Sequence, residues 1–461
     1  MYYILKCIAV LIFFLLASLS AKAQIQSEAH FAQKLETYLG LIHDNLHFNG
    51  EVLVAKGNRI LFQEVKGYSA REHQLSLRPG QKYKIASITK SFTGVLIGIA
   101  IEEGKLNFKD KVIQLIPTLS PKFKDITIAQ LLHHTSGLPH NEGIAKYWPV
   151  KSKLHVNTVE ALHEINTLDL LFDPGTGQHY SSLGYYLLAT VLEKIYGEQY
   201  DHILQNKIFK KLQLTRSGSL NSLAIRPQMV SGYHLVKDDS VIMAPYRNYS
   251  MLKGAGDLYS TTVDLHIFNT SFFSNDLLQE KTKERIFNPD MEQINTLGYG
   301  MGWYVAQKPH KSYAHGGGTW GFSAHNAIYP KEKISIVILS NISRLPMGNI
   351  ARDIEKIVFG AAFDLPRKQK EQSINTTLLE HYTGVYRSIT KGATLSISRK
   401  DDRLFAQLGK KPSFEIYAKG DYEFFGKKIA VTISFENEND SITGCTAKRL
   451  GKSFYFKKEL K

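Results

Sequence analysis

Ala86-Ser87-Ile88-Thr89-Lys90-Ser91-Phe92-Thr93-Gly94-Val95-Leu96-Ile97-Gly98-Ile99-Ala100-Ile101-Glu102-Glu103 reads as a helix with no polar side. Phe92, Val95, Leu96, Ile97, Ile99 and Ile101 point all round a 3.6-residue turn, so the segment from Ile88 to Glu103 is expected to be the buried central helix of a domain. A polar pair stands where a loop enters it. Ser87 and Lys90 are three residues apart, which puts hydroxyl and amine on one helix face, within reach of each other. A lysine in a partly desolvated pocket loses its preference for the charged form and can accept a serine proton. The helix N-terminus adds a positive field beside the alkoxide that results. S-x-x-K alone recurs by chance, as a capping serine and an exposed lysine, so the surroundings have to decide.

Upstream, Phe48-Asn49-Gly50 leads into Glu51 to Ala55, and Arg59 to Val65 follows a Lys56-Gly57-Asn58 turn, the pattern of a β-hairpin. Downstream, the span from Asp110 to about Leu297 mixes amphipathic helices, such as Leu183 to Tyr196, with Pro- and Gly-containing loops. Strands are expected again at Tyr299 to Val305, Ser323 to Tyr329 and Ile334 to Leu339, and a helix from about Gly348 to Phe359 closes this part. Sheet at both ends with helices between them predicts an α/β sandwich beside a helical lobe.

Pro366-Arg367-Lys368-Gln369-Lys370-Glu371-Gln372 reads as a linker. After it, short alternating runs replace helical periodicity: Thr394 to Ser398, Leu404 to Leu408, Phe414 to Tyr417, Tyr422 to Phe425, Ile429 to Phe435 and Phe454 to Phe456. Turn signals at Asp401-Asp402 and Asn437-Glu438-Asn439-Asp440 separate them, as in an antiparallel meander or small barrel. The expected organisation is a leader over residues 1–23, an α/β domain over 24–365, a linker over 366–375 and an all-β domain over 376–461.

The leader rests on Lys6, an apolar run from Cys7 to Leu19 and the small-residue ending Ala21-Lys22-Ala23. That run is short for a bilayer span, so export to the periplasm or beyond, with no membrane anchor after cleavage, is expected. Loss of Cys7 with the leader would leave Cys445 alone, and the fold would be held by its core rather than by a disulfide. The formal charge of +15 falls to +13 without Lys6 and Lys22, and the excess is spread along the chain, which argues against a nucleic-acid groove. A basic surface can attract anionic cell-wall polymers; a solvated basic face without a partner is the plainer reading.

Ile126-Thr127-Ile128-Ala129-Gln130-Leu131-Leu132-His133-His134-Thr135-Ser136-Gly137-Leu138-Pro139 follows Ser87-Ile88-Thr89-Lys90 at a fitting distance. Further matches come in order: Pro174-Gly175-Thr176, Tyr180-Ser181-Ser182-Leu183-Gly184-Tyr185, Gly254-Ala255-Gly256-Asp257-Leu258-Tyr259-Ser260-Thr261, Tyr299-Gly300-Met301-Gly302-Trp303 and His315-Gly316-Gly317. From about Phe48 to Phe359 the chain thereby resembles the class C β-lactamase superfamily, which also holds D-aminopeptidases, DD-peptidase-like penicillin-binding proteins and carboxylesterases. The resemblance implies a β-lactamase-like sandwich with an all-helical lobe, and Ser87 as nucleophile with Lys90 as its base. Tyr180 matches the family tyrosine that shares proton transfer, and a neighbouring ammonium is expected to lower its pKa. His315-Gly316-Gly317 stands where the family has Lys-Thr-Gly. The glycines let substrate backbone lie against the strand edge, with the Gly318 and Ser87 amides forming an oxyanion hole, each donor of which is typically worth about two orders of magnitude in rate.

Two departures bear on substrate. His315 replaces a permanent charge with one mostly absent at neutral pH, and Ser182 stands where the family places an asparagine that bonds the substrate amide. Both point away from efficient antibiotic hydrolysis and toward an esterase or a peptidase acting on small ester, peptide or peptidoglycan-derived substrates. A weak β-lactamase and a non-catalytic cell-wall binding or sensing protein are the alternatives. The mechanism needs no metal or organic cofactor. Gly316-Gly317-Gly318-Thr319-Trp320-Gly321 also fits G-x-G-x-x-G, but an alternating strand follows it instead of a helix. His133, His134 and His140 lack metal-ligand spacing and read as structural loop histidines, Cys445 as an inert thiol, and no G-x-S-x-G occurs.

Overall fold

Gly50-Glu51-Val52-Leu53-Val54-Ala55 has apolar side chains on both faces of a strand, which suits a strand covered on both sides. In the computed structural model Val52 and Val54 enter one core, and Leu53 and Ala55 enter another on the opposite face. The structure describes residues 30–459 apart from 221–223, 237–239, 288–297, 308, 364, 366–370, 389–391, 410, 412, 427–430, 440 and 450–451. The expected leader, the first half of the linker and the start of the run from Ile429 lie outside the described residues. The chain divides into two units, Met1–Leu365 and Pro366–Lys461.

In the first unit a seven-stranded sheet is formed by β1 (Gly50–Lys56), β2 (Arg59–Lys66), β3 (Tyr299–Gly300), β4 (Trp303–Ala306), β5 (Ser312–Thr319), β6 (Phe322–Tyr329) and β7 (Ile334–Ser340). Its order is β3-β4-β5-β6-β7-β1-β2, antiparallel throughout, so the N-terminal hairpin is annealed to the last strand. β7 repeats the two-faced pattern of β1: Ile336 and Ile338 face one core, Val337 and Leu339 the other. One face is covered by α1, residues 30–46, and by α6 (Met347–Val358), which contributes Ile350, Ile354 and Ile357. The other carries α2 (Thr89–Glu102), α4 (Ser182–Tyr196) and α5 (Thr262–Thr270).

α2 is the buried axis of the lobe, with every residue from Thr89 to Ala100 buried. Phe92 stacks on Phe268 of α5, ring centroids 3.9 Å apart, and meets the edge of Phe209 at 5.9 Å. Burial of such a ring contributes about 2–3 kcal/mol, so α2 is held on all sides by packing rather than by helix propensity.

One expected strand is interrupted. Tyr299 to Val305 is not a single strand but the two pieces β3 and β4, turned at Met301-Gly302. A straight strand would run into the start of α2, whereas the turn lets the chain pass over it. The Ser91 hydroxyl donates to Gly302 O at 2.8 Å, and a Cβ on Gly94 would stand 2.1 Å from Met301 O. Gly302 sits at φ +93°, where a Cβ would be 2.5 Å from Lys90 O, so only glycine fits.

The second unit is a closed eight-stranded barrel with its own core, which includes Tyr386, Ile397, Leu404, Phe424, Ile433 and Phe435. Its strands are β8 (Gly384–Ser388), β9 (Thr394–Lys400), β10 (Arg403–Leu408), β11 (Phe414–Ala418), β12 (Glu423–Phe425), β13 (Thr432–Glu438), β14 (Ser441–Arg449) and β15 (Lys452–Lys458). Pairing of β8 with β15 closes the ring and leaves no open edge. Cys445 is buried inside, and burial pushes its thiol up to about 12, as expected of an inert cysteine.

Candidate active site

Ser87 sits in the turn Ala86–Ile88 that runs straight into α2, after Ala86 at φ +48°. An alanine in that region is strained, and such strain collects where a side chain must be aimed. Lys90, the second residue of α2 and one turn beyond Ser87, has no exposed surface. Its Nζ donates to Ala255 O at 2.7 Å and to Ser182 Oγ at 3.1 Å, and it lies 3.4 Å from Ser87 Oγ. Burial draws its pKa down to about 7, with Asp257 acting the other way. Asp257 is itself buried, and burial and Asp201 push its carboxyl well above the usual range, so its charge does little to hold the ammonium. A neutral amine has two N–H donors and one lone pair. Those donors match Ala255 O and Ser182 Oγ and leave the lone pair for the Ser87 proton.

The segment Gly254–Asp257 forms the floor behind Lys90. Gly254 takes φ +70°, where a Cβ would stand 2.6 Å from Ala189 Cβ; its amide donates to Asp257 Oδ1 at 3.0 Å and its carbonyl accepts from Thr93 at 2.6 Å. These bonds aim the Ala255 carbonyl at Lys90.

Tyr180 comes from the loop before α4. A capping box of Thr127 and Gln130 starts α3 (Ile128–Leu132), which delivers His133 to Gly137 beside that loop. The two segments are laced together by His179 N to His134 O at 2.9 Å, Gly175 N to Thr135 O at 2.8 Å and Leu171 N to Gly137 O at 2.8 Å. Ser181 then caps α4, its Oγ accepting from Gly184 N at 3.2 Å. Tyr180 is thus fixed against the Ser87–Lys90 pair: Lys90 Nζ lies 4.9 Å from its ring centroid, and its hydroxyl hydrogen-bonds Ser87.

The expected lowering of the Tyr180 pKa is corrected here. Burial raises it, and the bond to Ser87 opposes that only in part. The expectation assumed a lysine ammonium beside the phenol, but the same burial draws Lys90 down to about 7, so that charge is only partly present at neutral pH.

Ser182 has its hydroxyl on Lys90, so its first task in this geometry is to hold the amine. His315 is 2% exposed; its Nδ1–H donates to Gly316 O at 2.6 Å and its Nε2 accepts from the Tyr299 hydroxyl at 2.9 Å. Burial, then the Lys90 charge, take its pKa to about 3, so the ring stays neutral. Gly317 abuts the turn that carries Ser87, where a Cβ would stand 2.2 Å from Ile85 O, while a Cβ on Gly318 would meet nothing within 4 Å. Along β5, β4 reaches only Ser312 to Ala314, so His315 to Thr319 keep one edge unpaired by any strand among the described residues. Gly316 to Gly321 form the β5–β6 hairpin and not a dinucleotide loop.

Several residues of the site escaped the sequence reading. His134, read as a loop histidine, packs its ring against Tyr180 and Tyr299, centroids 4.4 and 4.5 Å away, and its Nδ1 accepts from Ser181 N at 3.2 Å. Burial holds its pKa well below the usual value, so it is a neutral wall that positions Tyr180. Asn141 is fully buried with both side-chain polar atoms unpaired, next to His140, whose ring meets Tyr180 at 5.6 Å. The His-His-Thr-Ser-Gly stretch was the available signal for His134 and the Tyr299-Gly300-Met301-Gly302-Trp303 match that for Tyr299; nothing local marks Asn141.

A buried serine–lysine pair with a tyrosine above it, beside an open strand edge on an antiparallel sheet, defines a β-lactamase-fold serine hydrolase. Comparison with known proteins agrees. The family model described as Beta-lactamase matches residues 41–358, and a domain of unknown function, DUF3471, matches residues 368–460. The chain is 27% identical over 429 residues to Penicillin-binding protein 4* of Bacillus subtilis, covering 88% of this chain and 94% of that one. Among solved structures it is similar to an octameric penicillin-binding protein homologue from Pyrococcus abyssi, with a TM-score of 0.65, 19% identity, and 92% of this chain and 99% of that one covered. A D-stereospecific amidohydrolase from Streptomyces sp. gives a TM-score of 0.60 at 21% identity, covering 70% of this chain and 99% of that one. The chain belongs to the β-lactamase family of serine hydrolases.

Proposed function

We propose that the protein hydrolyses small ester or amide substrates through an acyl-enzyme on Ser87. The observation that carries this reading is the position of Lys90, fully buried with its Nζ 3.4 Å from Ser87 Oγ, where burial draws its pKa down to about 7. Lys90 Nζ takes the Ser87 proton as Oγ attacks the carbonyl carbon, and the oxyanion settles on the amides of Ser87 and Gly318. Collapse breaks the bond to the leaving group, which departs with a proton relayed from Lys90 through the Tyr180 hydroxyl. Water then attacks the acyl ester, its proton returns along the same groups, and Ser87 is released. Tyr180 acts as a protonated relay, in keeping with its raised pKa.

Within this class, an esterase or a D-aminopeptidase or DD-peptidase-like activity is supported over β-lactam hydrolysis, because His315 is neutral and occupied inside the protein. The leader-like N-terminus supports export. The test compares wild type and Ser87→Ala on a short-chain 4-nitrophenyl ester, a D-alanyl amide and nitrocefin. Turnover lost in the variant is expected, and the preferred substrate names the activity. Full hydrolysis by Ser87→Ala, or a stable stoichiometric acyl adduct without turnover, overturns it.

A further inference from the structure

Beyond Gly318 the β5 edge ends at Thr319, and Thr319 Oγ1 accepts from Arg247 Nη1 at 3.1 Å. Arg247 Nη2 donates to Tyr147 Oη at 3.2 Å, and its Nε is buried without a partner among the described residues. The guanidinium lies 5.0 Å from the Trp148 ring centroid and 5.9 Å from that of Trp320. Arg247 is 8% exposed, and all its hydrogen-bond partners are neutral hydroxyls.

Close by stands Lys84, three residues before Ser87. Its Nζ is 4.8 Å from the centroid of Tyr249, whose hydroxyl also meets Thr319 Oγ1, at 3.3 Å. Burial, then Arg226, bring the Lys84 pKa down to about 8, and Arg247 acts in the same direction. The acid that acts on Tyr147, Glu142, is exposed and lies 3.9 Å from His140.

Burying a cation without an anion is expensive, because hydroxyls and ring faces recover only part of its lost hydration. Arginine presents a planar fork that suits a carboxylate, and its unused N–H groups here are held beside the strand edge where a substrate would lie. A pocket with one oriented charged group among aromatic walls discriminates strongly against a substrate lacking the matching charge, whose binding would leave that group unpaired. The cost is recovered when the anion arrives.

We propose that Arg247, aided by Lys84, is a specificity-determining group that binds a carboxylate of the substrate on the Thr319 side of the reacting carbonyl. This rests on the serine-hydrolase reading above and narrows the substrates to small anionic esters or amides. It also gives the charge absent at His315 a different location in the site.

The test uses two matched pairs of esters: the 4-nitrophenyl monoester of adipic acid against 4-nitrophenyl hexanoate, and 3-carboxy-4-nitrophenyl acetate against 4-nitrophenyl acetate. Ser87→Ala is run on all four; turnover it retains condemns the serine reading, separately from this proposal. Wild type is expected to favour the carboxylated member of one pair at least about tenfold in kcat/KM, and that pair places the anion in the acyl or the leaving part. Arg247→Gln lowers this charged-to-neutral ratio at least about tenfold, and Arg247→Lys retains part of it. Thr319→Val, which keeps the guanidinium but removes its anchor, lowers the ratio less and serves if Arg247→Gln does not fold. No preference by wild type in either pair, an unchanged ratio in the variants, or equal losses on charged and neutral esters overturns the proposal.

Discussion

The pH dependence of acylation is the most direct consequence of the Lys90 environment. An ordinary lysine, with a pKa of about 10.4, is neutral in roughly one molecule in 2,500 at pH 7. Lys90, drawn to about 7, is neutral in about half. Burial therefore raises the population of competent base about a thousandfold without moving any atom of the serine. The expected profile of kcat/KM on a neutral, non-titrating ester rises with unit slope below pH 7 and flattens above it, with a gain of about tenfold from pH 6 to pH 8.

The three histidines whose rings meet Tyr180 do not blur that inflection. His315 and His140 are brought down to about 3 and about 4, and His134 lies well below its usual value, so all three stay neutral across the window. Lys84 titrates higher, near 8, and Lys84→Gln tells its contribution apart. A stopped-flow burst of nitrophenolate, corrected for spontaneous hydrolysis, reads the acylation step. A profile flat from pH 5 to 8, or an inflection near 10 as for a solvated lysine, refutes the argument that desolvation makes Lys90 the base.

Three further outcomes are expected. Tyr180→Phe removes the relay and lowers turnover by about 10²–10⁴, with the pH 7 inflection retained, since Lys90 and not the phenol titrates there. Gly317→Ala drives a Cβ into Ile85 O and displaces the nucleophile turn, so turnover falls by at least about tenfold, whereas Gly318→Ala has room and leaves the melting temperature unchanged. Lys90→Met abolishes turnover and changes how stability depends on pH. The folded pKa lies below the unfolded one, so the unfolded state binds more protons between about pH 7 and 10 and this lysine makes stability rise across that window; the rise is missing in the variant's melting curves.

The fold was legible wherever periodicity reports burial. α2 is apolar all round and is buried all round; β1 and β7 are apolar on two faces and divide two cores. The break at Met301-Gly302 was not legible, because its cause is the approach of α2 from two hundred residues away. In the barrel, β14 was not singled out: Ser-Ile-Thr-Gly-Cys-Thr-Ala carries only a weak apolar alternation, and ring closure rather than side-chain pattern supplies its partners. At the site, the Ser87–Lys90 spacing is local and could be read directly. The walls that set the electrostatics could not, since His134, Tyr299 and His315 meet only through the fold.

The two departures from the family pattern acquire a physical sense once the contacts are known. An asparagine at position 182 would offer an amide to substrate, but the serine there is short and its hydroxyl reaches Lys90 instead, which helps to orient the neutral amine. A lysine at position 315 would place an ammonium within electrostatic reach of Lys90 and add to the forces that discharge it. The buried, neutral His315 exerts little such influence, so the low pKa of Lys90 rests chiefly on desolvation. Ser182 and His315 thus spend their polar atoms inside the protein, on Lys90 and on Tyr299 and Gly316 respectively. Substrate recognition then falls to other groups, and beside the open β5 edge stand Arg247, whose buried Nε has no hydrogen-bond partner among the described residues, and Lys84, over the Tyr249 ring.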